Sequence, residues 1–380
     1  MSENLSELKG IGIFKLSMFL AFIFSFFFCL FYNELFWNFS DLSAHIALVS
    51  FKASHPLSLP EVGFELTVYW LAKLCHLGYA QVGVLLLSTT MVVLAIMVSS
   101  VLEKYLNLKT NLNYFFTSLL LVVSSIYYPF FNKFPYLGQW SPNPRHNPTI
   151  LLMEPFALGA LLLTIPMLQK HKVSTVVQVA LLLVISMFYK PSFAMVYIPA
   201  AFIFLIFYKP RVTKNFVLMF FAVIPAILYF SWQYFSFQHA GLTVAWSPFK
   251  MLTLYTPNPF ISLTLAIAFP LSLLIFRFRN VLNNKYLLMA WLITLVGYMQ
   301  SVLLAQGGDQ LACANFAWGY LAGLFFLFVF SFVEFWRWLQ SDIVKKIDVA
   351  KLSITSFLFS LHLASGIVYL IRMIFYSTYN

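Results

Sequence analysis

Oily runs of about 20 residues recur along the whole chain, separated by short polar joins, and that rhythm predicts helices that cross a ~30 Å hydrocarbon layer. The runs cover 11–33, 80–102, 113–131, 149–169, 174–189, 192–208, 215–237, 259–276, 286–305, 316–336 and 352–376. Taken at face value they make eleven crossings, with the N-terminus inside and the C-terminus outside. Backbone groups in lipid must be satisfied within a helix or a closed barrel, and the alternation a barrel needs is absent. The expected fold is an all-α polytopic bundle, one integral membrane domain over 1–380. One stretch breaks the rhythm. The segment 63–79, GFELTVYWLAKLCHLGY, carries Glu65, Lys73 and His76. Each such charge costs roughly 2.5–3.5 kcal/mol at mid-bilayer. It is therefore placed at the outer interface, inside a first outer loop spanning 34–79, and counting it as a crossing would make twelve.

Composition agrees with this layout: 61% of residues are hydrophobic and only 9% are charged. The net charge of +11 would suggest a nucleic-acid partner in a soluble chain. Here the basic residues gather in alternate joins: Lys104/Lys109, Lys170/Lys172, Lys209/Arg211/Lys214, Arg277/Arg279/Lys285 and Lys345/Lys346/Lys351. That is the positive-inside pattern, so the charge reports topology and no nucleic acid is expected. Lys9 and Lys15 precede the first run without a small-residue cleavage site, which predicts a retained anchor. Three cysteines, Cys29, Cys75 and Cys313, are too scattered for a disulfide framework or a metal site. Walker and dinucleotide-binding glycine motifs are absent, and no cofactor is expected beyond an optional divalent metal.

The unusual residues lie on the outer side, in 34–79, 132–148, 238–258 and 306–315 and at the Lys190-Pro191 join. In the first loop Asp41 and His45 are four apart, sharing one helix face, with Lys52 further along it. Leu42, Ile46 and Val49 beside them make an apolar side, so the helix is expected to lie in the interface. Two accounts stay open: an amphipathic lid capped by Asp41, or a carboxylate base with an imidazole neighbour. The second loop ends in SPNPRHNPT, 141–149. Asn147 reads as an N-cap and Pro148 as the first helical residue. A helix N-terminus attracts anions, and Arg145 and His146 beside it would strengthen that. Trp140 and Tyr136 upstream offer flat aromatic faces for stacking on a ring-shaped substrate, or are ordinary belt residues of the interface. Glu154 lies seven residues beyond Asn147 on the same face, and Lys190 interrupts two apolar runs. Buried charges at such depth are functional by default, though a structural Glu154–Lys190 pair explains them equally well. Asp309 and Gln310 follow two glycines in the last outer loop, where a plain surface turn is the competing account.

The order of parts resembles the polytopic glycosyltransferases of the C superfamily (GT-C). A first span is followed by a long outer loop with an acidic residue near its start, SDLSAH, then the proline-rich HPLSLPEVGFEL. The likeness covers about the first 170 residues. It implies a GT-C-like helical fold and transfer of a sugar from a polyprenyl-phosphate carrier to a glycan or lipid-linked acceptor. It also implies an active site on the outer face, here of a bacterial inner membrane. By resemblance Asp41 is the residue that activates the acceptor hydroxyl. Asp41 is followed by Leu42 and Ser43, so the double-carboxylate motif of some branches is missing and metal dependence stays open. A polysaccharide polymerase or ligase using a polyprenyl diphosphate is the nearest rival. A lipid-linked glycan flippase is the second, although the repeats and mid-membrane polar sites of transporters are not evident.

Overall fold

The computed structural model describes residues 2–37, 40–55, 62–131, 140–208, 212–239, 244–307, 311, 314–345 and 348–378. It is almost entirely helical. The helices are α1 (Ser2–Glu34), α2 (Asp41–Ala47), α3 (Val49–Ser54), α4 (Gly63–Cys75), α5 (Tyr79–Leu106), α6 (Thr110–Leu120), α7 (Pro148–Lys170) and α8 (Val173–Tyr189). They continue with α9 (Ser192–Phe207), α10 (Val212–His239), α11 (Leu252–Tyr255), α12 (Pro259–Phe276), α13 (Phe278–Asn283), α14 (Lys285–Leu303), α15 (Trp318–Lys345) and α16 (Val349–Tyr376). Among the described residues eight helices are long and apolar enough to cross a membrane, and α8 and α9 are shorter apolar helices. The chain is thus an all-α integral membrane protein. The central helix is α15, buried along nearly its whole apolar length and packed against α14, α9, α12, α5, α7 and α16.

Two features depart from the pattern of oily runs. The run 113–131 is not one helix: α6 stops at Leu120 after 11 residues, about 16 Å of rise. Beyond it the backbone is irregular, yet Val123, Ser124 and Ser125 are buried. Its polar groups find partners elsewhere in the protein. Ser124 N donates to His362 O, Ile126 N to Leu265 O and Tyr127 N to Ser365 Oγ, at 3.2, 3.1 and 2.9 Å. Asn143 donates to Leu120 O at 3.2 Å and to Val123 O. Irregular backbone is tolerated in a membrane protein when it is enclosed this way. Gly366 makes the enclosure possible, since a Cβ there would sit 1.9 Å from Val122 O. The second departure is a small antiparallel ribbon, β1 (Val244–Trp246) against β2 (Leu304–Gln306), which ties two interhelical segments together.

The two ends of the bundle differ in chemistry. Lys104, Lys170, Lys285 and Arg337 surround one cavity at one end. The opposite end carries α2, α3, α4, the 140–147 loop and the Lys190 join. Helix α4 has 13 residues, too short to cross on its own, and it packs on α3 and α5.

Candidate functional site

Helix α1 ends at Glu34, and the chain turns to begin α2 seven residues later. Ser40 is the N-cap: its Oγ accepts from Ser43 N at 3.2 Å and donates to Glu34 Oε1 at 3.0 Å. The capping role considered for Asp41 therefore belongs to its neighbour. Asp41 is the first helical residue, half-buried, and its carboxylate is directed at the start of α7. Asn147 Nδ2 donates to Asp41 Oδ2 at 2.9 Å. The other end of that amide caps α7, because Asn147 Oδ1 accepts from Ile150 N at 3.1 Å and from Thr149 Oγ1 at 2.8 Å. Thr149 Oγ1 in turn accepts from Lys190 Nζ at 3.2 Å. A single hydrogen-bonded line thus runs from an ammonium through a hydroxyl and an amide to a carboxylate.

Each member is positioned by local backbone chemistry. Pro148 opens α7 because its missing N–H is not needed there, and Asn147 supplies the acceptor that the first turn lacks. Lys190 ends α8 in extended conformation, as the residue before a proline is biased to do, and Pro191 is the N-cap of α9. Its ammonium lies 4.8 Å from the ring centroid of Trp318, which opens α15. Four helix starts, those of α2, α7, α9 and α15, and the end of α8 therefore converge on this line. His146 lies beside it, with Nδ1 2.8 Å from Tyr369 Oη. Burial pushes the His146 imidazole down to about 4, against the opposing pull of Asp41, so the ring is neutral near pH 7.

A second charged group braces the layer above. Glu65 is fully buried, and its Oε1 accepts from Lys52 Nζ and pairs with His45 Nδ1, both at 2.7 Å. Burial raises this carboxyl, but His45 and Lys52 together outweigh it and hold it below its ordinary value. His45 thus turns to Glu65, and no bond joins it to Asp41. Together Glu65, His45 and Lys52 lock α2, α3 and α4 into one unit, which fixes the direction in which Asp41 points.

Arg145 sits two residues before the cap but faces the interior, 1% exposed. Its Nη1 donates to Glu154 Oε2 at 3.2 Å, Nε and Nη2 donate to Leu121 O at 3.3 and 3.1 Å, and Nη2 also reaches Asn143 Oδ1. The guanidinium also lies over Phe27 and Phe325. Glu154 is paired with Arg145 and not with Lys190. This arginine is occupied in stitching the broken end of α6 to α7. Trp140 is also internal, its ring 6.2 Å from Tyr320 and its carbonyl accepting from Ser125 Oγ. Asp309 and Gln310 lie outside the described residues. Among the described residues nearby, Asn315 Nδ2 donates to Gln306 Oε1 at 2.5 Å.

Of the residues singled out by sequence, Asp41, His146, Asn147 and Lys190 meet at one place. Thr149, Trp318, Tyr369, Glu65 and Glu34 were not foreseen there. Thr149 had a usable signal, a hydroxyl two residues after a capping asparagine. Glu65 had one too, in the matched face of His45 and Lys52. No group of three metal-ligating side chains occurs among the described residues. The arrangement can hold an anion against Lys190 and receive a proton at Asp41, two charges of opposite sign kept apart by neutral, oriented bridges. No protein-family model matches this chain, and no curated protein matches it.

Proposed function

We propose that the protein is a membrane glycosyltransferase of GT-C type. It would move a sugar from a polyprenyl-phosphate carrier to a glycan or lipid-linked acceptor at the outer face of a bacterial inner membrane. The observation that carries this is the Lys190–Thr149–Asn147–Asp41 line, at the end of the bundle opposite the basic loops. Glycosyl transfer needs both of its termini. The acceptor hydroxyl attacks the anomeric carbon and gives its proton to Asp41 as the new C–O bond forms. The bond from that carbon to the phosphate oxygen breaks, and the electron pair leaves with the lipid phosphate. Lys190 offsets the charge that develops on that oxygen, in surroundings where a fixed cation acts more strongly than in water. Asn147 and Thr149 orient the two charges so that neither neutralises the other. Arg145 and Glu154 act as scaffold beneath them.

The test is a transfer assay on purified protein in nanodiscs, with polyprenyl-phosphate sugars supplied as donors. Asp41→Asn keeps the shape and the Asn147 contact but cannot take a proton, so turnover should fall by about 10²–10⁴. Lys190→Met should weaken donor binding and slow transfer, with Lys190→Arg restoring part of it. Normal turnover in folded Asp41→Asn would end the assignment. Topology reporters supply an independent check: fusions after Lys172, Lys214 and Lys285 should be cytoplasmic and one at Pro142 external.

A further inference from the structure

Starting at Pro191, the residue after Lys190, a cavity of about 410 Å³ opens between α9, α10, the β1–β2 ribbon and the 3-10 turn at Asn315–Ala317. Pro191 and Ser192 form one wall and Gln233 another, while Gln306 and Asn315 belong to its rim. Two polar atoms in this wall are buried without a hydrogen-bond partner among the described residues: Ser192 Oγ and Gln233 Oε1. Both residues are more than nine-tenths buried, at 6% and 2% exposed. An unmet buried polar group costs roughly 1–3 kcal/mol, so two in one wall call for an explanation.

Ser192 is orphaned for a local reason. Many helical serines in this chain donate to the carbonyl one turn back, as Ser88 does to Val84 O and Ser118 to Tyr114 O. Ser192 is the first residue of α9 and has no helical carbonyl behind it. Its own carbonyl is pressed against Gly319 of α15, where a Cβ would come within 2.5 Å, so the start of α9 cannot rotate away. The cavity then continues into a second, apolar one of about 230 Å³ that shares Met195 and Phe230 with it. That continuation runs between α8, α9 and α10 past Ile198, Pro199 and Ile227. The one polar side chain in its wall, Gln300, is already used, donating to Met195 O at 2.9 Å.

We infer that this cleft holds a lipid with a hydroxylated head, a sugar or polyol, its head against Ser192 and Gln233 and its hydrocarbon chain along Ile198 and Ile227. A hydroxyl is both donor and acceptor, so it satisfies the serine and donates to Gln233 Oε1, the glutamine's nitrogen being taken by Tyr229. A phosphate dianion only accepts and leaves Gln233 Oε1 unmet. The shape is that of ligand sites generally, apolar walls with a few convergent polar groups. Within the proposed function this is where the sugar carried by a lipid rests next to the Lys190 ammonium. That placement depends on the glycosyltransferase reading, and the binding itself does not.

The test is photolabelling in nanodiscs with an alkyl glycoside that carries a diazirine in its chain, read as labelled peptides by mass spectrometry. It is done in the Asp41→Asn background, where turnover plays no part. Label is expected on α9 and α10, competed by decyl glucoside and not by decyl phosphate or by free glucose. Ser192→Ala with Gln233→Leu should cut labelling about tenfold or more. The same double variant should melt close to the parent temperature, because Ser192 Oγ and Gln233 Oε1 have no partner among the described residues and only the contact of Gln233 with Tyr229 is given up. Equal competition by decyl phosphate, competition by free glucose, unchanged labelling of the double variant, or a large loss of its stability would each overturn the inference. Absence of any sugar transfer by the parent protein would remove the glycosyltransferase reading while leaving this labelling result intact.

Discussion

Replacing Arg145 by alanine separates a structural role from a ligand-binding one. In the structure the guanidinium holds Glu154 at 3.2 Å, both being essentially buried, and it donates twice to Leu121 O where the backbone has left the helix. Breaking a buried pair by deleting one partner typically costs about 3–5 kcal/mol, because the remaining charge has no compensation. Leu121 O loses both side-chain donors at once, which adds to that cost. An effect of 3–5 kcal/mol is a factor of roughly 10²–10⁴ in the folding equilibrium and a large share of the stability of most domains. Arg145→Ala should therefore lower the melting temperature and the folded yield sharply. Arg145→Met together with Glu154→Gln should recover much of the loss, since no unpaired charge is left. Thermal melts of the protein in nanodiscs, with donor KM measured on whatever fraction stays folded, read both quantities. If Arg145→Ala melts like the parent and raises only the KM for the lipid donor, the scaffold argument fails and the arginine is a phosphate ligand after all.

Stability should also fall with pH in two stages. His146 is held neutral, at about 4 against 6.5 unfolded, so its contribution is full above pH 6.5 and is lost as pH falls toward 4. Glu65 lies below 4.5, so its contribution is full above that value and is lost as pH falls through its lower folded value. Melting curves against pH should lose the upper stage in His146→Gln and the lower one in Glu65→Gln; two unchanged curves would refute both assignments. Gly366→Ala places a methyl on Val122 O and should destabilise by about 1–3 kcal/mol or prevent insertion, and an unchanged melt would show that α16 is free to shift there.

Long oily runs were legible because the criterion for crossing lipid is additive over a window, as at α5, α7 and α15. The same criterion failed at 113–131, since hydrophobicity says nothing about which carbonyls a distant asparagine or histidine will satisfy. Asn143 and His362 do that work, and neither is near α6 in sequence. The meeting of Asp41 with Asn147 was half visible. Each terminal residue could be placed on a helix start, but the contact between the two starts is set by packing of α2 on α7. Arg145 shows the limit most clearly. A cation beside a helix N-terminus suggests an anion site, yet a two-residue offset before the cap turns its side chain inward to Glu154. Glu65 was read as a charge whose cost keeps 63–79 out of the bilayer, and Glu34, at the end of α1, carries the same cost of burial. That cost is what obliges each to recruit a partner, Lys52 and His45 in one case and Ser40 in the other.

The early stop of α6 also sets an order of assembly. A ribosome delivers α6 long before α16, yet the irregular backbone after Leu120 relies on His362 and Ser365, whose separation from Ser124 and Tyr127 is 238 residues. Until the last helix arrives, those amides and carbonyls have no protein partner and cannot be left in hydrocarbon. The nascent chain must keep this stretch near water, or under the care of the insertion machinery, through almost the whole of synthesis. Closing so long a loop is slow and late. A chain cut short before α16 would thus lose far more than one helix. Its N-terminal third would stay unfinished, marked for quality-control proteases by the same exposed amides that the complete protein hides.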